Sequence, residues 1–434
     1  MYQYVSKNLG TNSQGHMTIG GVDTVELTKA YGTPLYVMDE DMIREHCRAF
    51  KNSVDNYYHG AGLVCYASKA FSCKQIYRIA KEEGIGVDIV SVGELYTAMS
   101  VGFPADRICY HGNNKTVDEL EMVLENHVGR IVVDNLDELE QLNRIAGQMG
   151  KQANILLRLT PGIDAHTHSF IQTGQLDSKF GMAIDTGLAK EGVKKALSLE
   201  HIHLEGVHCH IGSQIFDIDP FEHAAEVMMG FIAKVQSELG YSLKTMNLGG
   251  GFGIKYVETD DPVEYDLYMK RVSDRVKAKA EELNIPLPFI IIEPGRSIVA
   301  PAGITLYTVG GIKGIPGIRK YVSVDGGMTD NIRFALYGSE YDFVLANKAA
   351  EPKDDVVTIA GRCCESGDLL GKDVSLQKAQ LGDILASCAT GAYNYAMASH
   401  YNRVRKPAVV MVSGGESRIV VKRETLDDLI RNDV

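Results

Sequence analysis

Four short stretches carry residues able to do chemistry: "CYASKAF" with Lys69, "CHIGSQ" with His210 and Ser213, "GGGFG" over 249–253, and "EPGR" over 293–296. A lysine offers a primary amine that condenses with a carbonyl. Successive glycines such as Gly250 and Gly251 let backbone N–H groups close on an anion, and Ser213 can add a hydroxyl donor. An imidazole can stack on a flat ring. A carboxylate such as Glu293 can keep a ring nitrogen protonated, because each charge favours the other. Brought to one place, these groups meet the needs of pyridoxal 5'-phosphate: a Schiff-base lysine, a ring-stacking side chain, a phosphate cradle and a partner for the pyridine nitrogen. Taken singly, each has a plainer reading. Most lysines are solvated surface cations, and a run of glycines is more often a bare turn.

What raises the chemical reading is where the stretches fall among the elements that must hold them. Eight β-rich runs recur along the chain: 63–67, 86–90, 107–111, 130–134, 154–159, 202–208, 244–248 and 289–293. Amphipathic stretches follow most of them. Ser91 with Glu94, and Thr116 with Glu119, have the spacing of capping boxes at helix starts. Eight such units over about 250 residues predict a closed (β/α)8 TIM barrel, with a doubly wound open sheet as the alternative. In a barrel the loops after the strands share one face. Lys69 follows strand one, His210 strand six, the glycines strand seven and "EPGR" strand eight. The last two loops are the usual phosphate site of the fold.

From about Pro301 the rhythm changes to short alternating runs separated by glycine and aspartate, which predicts a second, all-β domain of Greek-key or sandwich-like type. The strand-like "GTPLYVMD" at 32–39 lies outside the barrel count and is expected to pair with that domain. The expected organisation is therefore 1–38 joining the β domain, 39–297 as the barrel, and 298–434 as the β domain. The 434 residues carry a net charge of −12 with no basic run, so nucleic acid is not an expected partner. The sequence has no apolar run of about 18 residues and a polar start, which predicts a cytoplasmic chain with no membrane association. Its eight cysteines lack CxxC spacing, so neither a zinc site nor a disulfide framework is expected.

The ordered motifs "GTPLYVMDE", "YASKA", "GVDIVSVGEL", "HGNNK", "RLTPGIDAHTH", "TGQLDSKFG", "GVHCHIGSQ", "NLGGGFGI", "IIEPGRSIVA", "VDGGMTDNIRFALYG", "CCESGD" and "GAYNYAM" run nearly end to end. In them the sequence resembles the diaminopimelate decarboxylases, which are alanine-racemase-like, fold-type III pyridoxal phosphate enzymes. The resemblance implies decarboxylation of meso-2,6-diaminopimelate at its D-configured centre to L-lysine, the last step of lysine biosynthesis. It implies Lys69 as the Schiff-base lysine and His210 as the ring-stacking residue. Ser213, Gly250, Gly251, Glu293, Pro294, Gly295, Arg296 and Tyr393 become the cofactor contacts. Cys364 becomes the proton donor, contributed from the second subunit of a homodimer with shared active sites. Arg296, Arg333, Tyr337, Glu365 and Tyr393 become the substrate contacts. That last set makes chemical sense, since the unreactive end of diaminopimelate carries a carboxylate suited to paired arginines and an ammonium suited to Glu365.

Departures from the family pattern, at Arg362 and Cys363, Gln377, Lys406 and Val409, fall on no implied contact. Cys363 competes with Cys364 as acid, although alternation in an extended segment turns the two thiols apart; a redox role for the pair is the lesser reading. His201, His203, His208 and His210 could hold a metal, but strict alternation along one strand puts the first two on the face opposite the last two, and no metal is expected. His166 and His168 fall in the long loop after strand five, read as a lid over substrate or a polar turn. Arg158 and Asp88 are open between cofactor contact and rim salt bridge. Rival readings are a racemase, which would place arginine rather than Glu293 at the ring nitrogen; a decarboxylase of arginine, ornithine or carboxynorspermidine, for which paired distal arginines have no use; and an inactive regulatory homologue, which would have lost Lys69 or Cys364.

Overall fold

The computed structural model describes residues 5–163 and 178–434, so His166 and His168 lie outside the described residues. The chain divides into two compact units. One comprises His46–Gly253 with Pro262–Gly295; the other comprises Met1–Glu45, Ile254–Asp261 and Arg296–Val434. Among the described residues no helix is long and apolar enough to cross a membrane.

The first unit is the closed parallel barrel. Its strands are Gly62–Ala67, Gly86–Ile89, Ile108–Tyr110, Arg130–Val133, Ala153–Thr160, Ile202–His208, Thr245–Asn247 and Phe289–Ile292. Each pairs in parallel with the next, and the eighth closes on the first through Ile290 opposite Gly62. The helices between them begin where side chains relieve unpaired N–H groups. Thr116 and Glu119 form the full capping box, with N–H to side-chain distances of 3.3 and 2.9 Å. At Ser91 the reciprocal bond differs from the expectation: Glu94 accepts from the N–H of Val90 (2.7 Å), one residue before the cap.

Alternation along the strands stacks the barrel interior in layers. The middle layer is apolar, with Cys65, Cys109, Val132, Leu156 and Ile291 packed together. Each fully buried aliphatic side chain there stabilises the fold by about 1.5–3 kcal/mol. Below it, at the N-terminal ends of the strands, Arg130 donates to Glu205 (3.0 and 2.9 Å), which also accepts from Asn154 (2.7 Å) and Thr245 (2.5 Å). Burial alone would raise the Glu205 pKa, but the Thr245 bond and the Arg130 charge hold it below the usual glutamate range. That contribution is present at neutral pH and is lost as pH falls through the lowered value. Glu205→Ala should cost about 3 kcal/mol in urea unfolding, because Arg130 stays behind largely buried without its partner.

Strand six breaks the alternation. Its register with strand five shifts between Leu204 and Gly206, so one extra residue is inserted and the parity flips. Glu205 and His208 therefore both reach the barrel interior, at opposite ends. This corrects the expectation that alternation divides the histidines: His203 bonds Asn154 (2.9 Å) at the lower end, and separation along the strand, rather than facing, keeps it from His208.

The second unit is built on a nine-stranded mixed sheet. Its long strand Gly303–Ile315 pairs with Leu35–Asp39, Arg319–Val324 and Ile384–Ser387, and Leu35–Asp39 pairs in turn with Ala408–Ser413. The N-terminal strand thus lies in the centre of this sheet, where Leu35, Tyr36, Val37 and Met38 are buried. Tyr36 and Tyr307 both donate to Asp330, to its carbonyl and its carboxylate respectively, each at 2.6 Å. These bonds anchor the segment that leads into the short helix Arg333–Tyr337.

Candidate active site

Lys69 stands in the single turn Ser68–Ala70 that ends strand one, exposed between two buried neighbours. Ser68 donates to the carbonyl of Asp88 (2.8 Å), and the N–H of Ala67 donates to the carbonyl of Pro294 (3.0 Å). The turn is thus tied to the strands on either side. Among the described residues nothing hydrogen-bonds the Lys69 ammonium. Its charge bears on Asp88, whose pKa burial raises, and on His210, which burial and then the Lys69 charge push well below the usual histidine range. His210 is therefore a neutral ring. Arg158, lowered by burial, lays its guanidinium over Phe180 at 4.2 Å and makes no ion pair among the described residues.

The loops after strands six and seven are stitched together. Ile215 pairs with Phe252, and the N–H of Ile215 donates to the carbonyl of Gly251 (3.0 Å). Gly250 lies so close to strand eight that a Cβ would sit 2.1 Å from the carbonyl oxygen of Glu293, and Gly251 holds φ at +117°. Only glycine fits both places. The N–H groups of Gly251 and of the buried Gly295 have no acceptor among the described residues. Ser213 is half-buried on the same stitched loop, and Pro294 is buried between Glu293 and Gly295.

Glu293 is the most constrained group. Its Oε1 accepts from His111 Nε2 (2.8 Å) and Asn247 Nδ2 (2.6 Å), and its Oε2 accepts from His208 Nε2 (3.2 Å). Asn247 also accepts from the N–H of Gly249 (2.8 Å), which fixes its amide orientation. Burial would raise the Glu293 pKa, but His111, His208 and their hydrogen bonds hold it well below the carboxylate range. Burial pushes His208 down to about 4, so at neutral pH it acts as an uncharged Nε2–H donor; its Nδ1 is buried with no partner. A carboxylate has about four lone-pair sites, and three are filled here. One remains on Oε2. His111, His208 and Glu293 are also the three groups of this interior that could together hold a cation.

These groups fit pyridoxal phosphate: an unengaged lysine amine for its aldehyde, unpaired N–H groups for its phosphate, and one vacant lone pair on an anionic carboxylate for its ring nitrogen.

The other expected residues lie in the second unit. Arg296 and Arg333, both buried, donate to one phenol oxygen, that of Tyr256, at 2.7 and 3.0 Å. Arg333 also donates to Tyr341 (2.9 Å) and Ser339 (3.3 Å). Tyr393 lies against both guanidinium groups, 4.8 Å from Arg296 and 5.9 Å from Arg333, and holds φ at +62°, a strained value for a tyrosine. Tyr337 closes the Arg333 helix with its ring 6.0 Å from the guanidinium. Cys364 and Glu365 join no part of this cluster. Both are exposed; the Cys364 N–H donates to Asn402 (2.9 Å), and Glu365 accepts from the N–H of Gly367 (3.2 Å). Cys363 is half-buried, with burial and Asp368 pushing its thiol up to about 11. The two thiols do differ in environment, but on a bend, not an extended strand.

Sequence reasoning missed His111, Asn247 and Tyr256. The first two were within reach, because they continue the inward alternation of Cys109 and Thr245. Tyr256 lies just beyond "NLGGGFGI", with nothing in its surroundings to mark it.

Residues 40–300 match the family model described as "pyridoxal-dependent decarboxylase, pyridoxal binding domain". The chain is 50% identical over 426 residues to the diaminopimelate decarboxylase of Bacillus subtilis, covering 98% of this chain and 96% of that one. It is 52% identical over 413 residues to that of Bacillus methanolicus, covering 95% of each. A crystal structure of the enzyme from M. jannaschii in co-complex with L-lysine aligns with a TM-score of 0.90 at 35% identity, covering 98% of both chains. Together with the eight-stranded barrel and its lysine, glycine loop and buried carboxylate, these likenesses mean that the chain belongs to the diaminopimelate decarboxylase family of pyridoxal-dependent decarboxylases.

Proposed function

We infer that this chain converts meso-2,6-diaminopimelate to L-lysine and carbon dioxide with pyridoxal 5'-phosphate, working in the cytoplasm as a homodimer. The observation that carries the substrate reading is the pair of buried arginines, Arg296 and Arg333, converging on one phenol oxygen, with no carboxylate paired to Arg333 among the described residues. Two buried cations so placed suit an anion brought by the substrate. A monoamine end, as in ornithine, gives them nothing to bind.

We assign 39–297 to cofactor binding and 1–38 with 298–434 to the β domain. Lys69 would hold the cofactor covalently and His210 would lie against its ring. Ser213, Gly250, Gly251, Pro294, Gly295, Arg296 and Tyr393 would surround it, with Glu293 at the ring nitrogen. When bound, the cofactor supplies an electron sink for the pair left behind as carbon dioxide departs. Glu293 stays anionic through its three donors and so favours a proton on the group facing its free lone pair. Arg333 and Tyr337 fix the distal carboxylate, and Glu365 the distal ammonium. Cys364 delivers a proton from its Sγ to the carbon that has lost its carboxylate.

The exposure of Cys364 and Glu365 supports their belonging to a site on a second subunit. Incubating the holoenzyme with meso-diaminopimelate, ornithine, arginine and lysine, with detection of carbon dioxide and lysine, tests the reaction; turnover of another substrate in preference would overturn it. Cys364→Ala should lower kcat by about 10²–10³-fold. Full lysine output from that variant would remove Cys364 from its role. Mixing Lys69→Ala and Cys364→Ala subunits should restore activity that neither has alone, and no recovery after subunit exchange would refute the shared site.

A further inference from the structure

The phenol of Tyr256 is fully engaged as an acceptor and not at all as a donor. Its oxygen takes N–H bonds from Arg296 (2.7 Å) and Arg333 (3.0 Å), which fills both lone pairs. Among the described residues no acceptor stands opposite its own hydrogen. The side chain is 6% exposed, so water does not readily take that place. A buried hydroxyl proton with no acceptor is costly, and natural structures keep such groups where a ligand completes them.

The residue is also held rigidly. Asp260 accepts from its N–H (2.9 Å) and from that of Val257 (3.1 Å), and the ring packs edge-on against Tyr341 at 5.3 Å and 83°. Burial would raise its pKa, but the two guanidinium charges hold it below the usual tyrosine value, which makes it a stronger donor. The Arg333 charge is relayed outward in turn: Tyr341 accepts from Arg333 and donates to Asn394 (3.4 Å). Arg333 therefore has hydroxyl groups for partners, and Tyr256 is the buried one that donates to no described residue.

We propose that Tyr256 is a specificity-determining residue that donates its phenolic hydrogen to the distal carboxylate of the substrate, between the guanidinium groups of Arg296 and Arg333. The assignment rests on the reading of diaminopimelate as substrate and goes beyond it in naming a third donor. Three convergent donors, two of them cationic, select a planar anion over a neutral or cationic chain end. 1,5-Diaminopentane, which is L-lysine without the distal carboxylate, has no use for Tyr256.

That difference supplies the test. In Tyr256→Phe holoenzyme the KM for meso-diaminopimelate should rise about 10- to 100-fold, as for loss of one hydrogen bond to a charged group, with kcat within about threefold. The Kd for L-lysine, which keeps that carboxylate, should rise in step with the KM, whereas the Kd for 1,5-diaminopentane, measured by calorimetry, should stay within about threefold. A merely structural role would move the 1,5-diaminopentane Kd together with the KM. Tyr256→Met, whose thioether can accept from the arginines but has no hydrogen to donate, carries the same comparison if the phenylalanine variant folds poorly. Carbon dioxide release from meso-diaminopimelate by the unmodified enzyme is the control: its absence refutes the substrate reading. If release is normal but the variant's KM stays within threefold, or KM and the 1,5-diaminopentane Kd rise in step, the Tyr256 assignment alone is overturned.

Discussion

Lys69→Ala should abolish turnover, lowering kcat by about 10³-fold or more, while leaving the fold intact. The side chain is exposed and has no hydrogen-bond partner among the described residues, so its removal should change stability by no more than about 0.5 kcal/mol. The loss is chemical: without the amine no covalent link would hold the cofactor aldehyde. Borohydride should fix the yellow chromophore to the unmodified chain and leave the variant's cofactor removable by dialysis. A variant that keeps a borohydride-fixed chromophore would show that another lysine carries it.

The second large effect is expected at Glu293. Glu293→Gln removes the negative charge and also reverses one hydrogen bond. An amide can accept from His111 and Asn247 through its oxygen, but it then turns its NH₂ toward His208 Nε2–H. His208 could adapt only by moving its proton to Nδ1, which is buried with no acceptor. Either arrangement leaves one buried donor unpaired, a cost of about 1–3 kcal/mol. The variant should therefore melt earlier and lose about 10³-fold in kcat, since the charge that would keep the ring nitrogen protonated is gone. Thermal unfolding and steady-state rates read the two effects separately. A kcat within tenfold of the unmodified enzyme, at full cofactor loading, would mean that Glu293 does not set that protonation.

Much of the barrel was legible in the sequence because parallel strands buried on both faces read as short apolar runs. The run 202–208 coincides with the observed strand, and the others agree within two residues at each end. The strand-end positions of Lys69, His210, Gly250 and Glu293 followed from the strand count. What alternation misjudged was strand six, where the inserted residue near Glu205 changes which side chains face inward. A bulge depends on the neighbouring strand's register, which one strand's sequence does not contain. Tyr256 escaped for a related reason: its importance comes from two arginines distant in sequence, Arg296 and Arg333, and a lone tyrosine after a glycine loop carries no pattern of its own.

Asn247 holds the N–H of Gly249 with one end of its amide and Glu293 with the other. It acts as a calliper of fixed opening between the turn that would grip a phosphate and the carboxylate that would face a ring nitrogen. Part of the spacing matched by this barrel is then set by one side chain, and redesigning the loop for a longer or shorter cofactor would pull on the carboxylate through it. An engineered change of cofactor in this scaffold has to take position 247 into account.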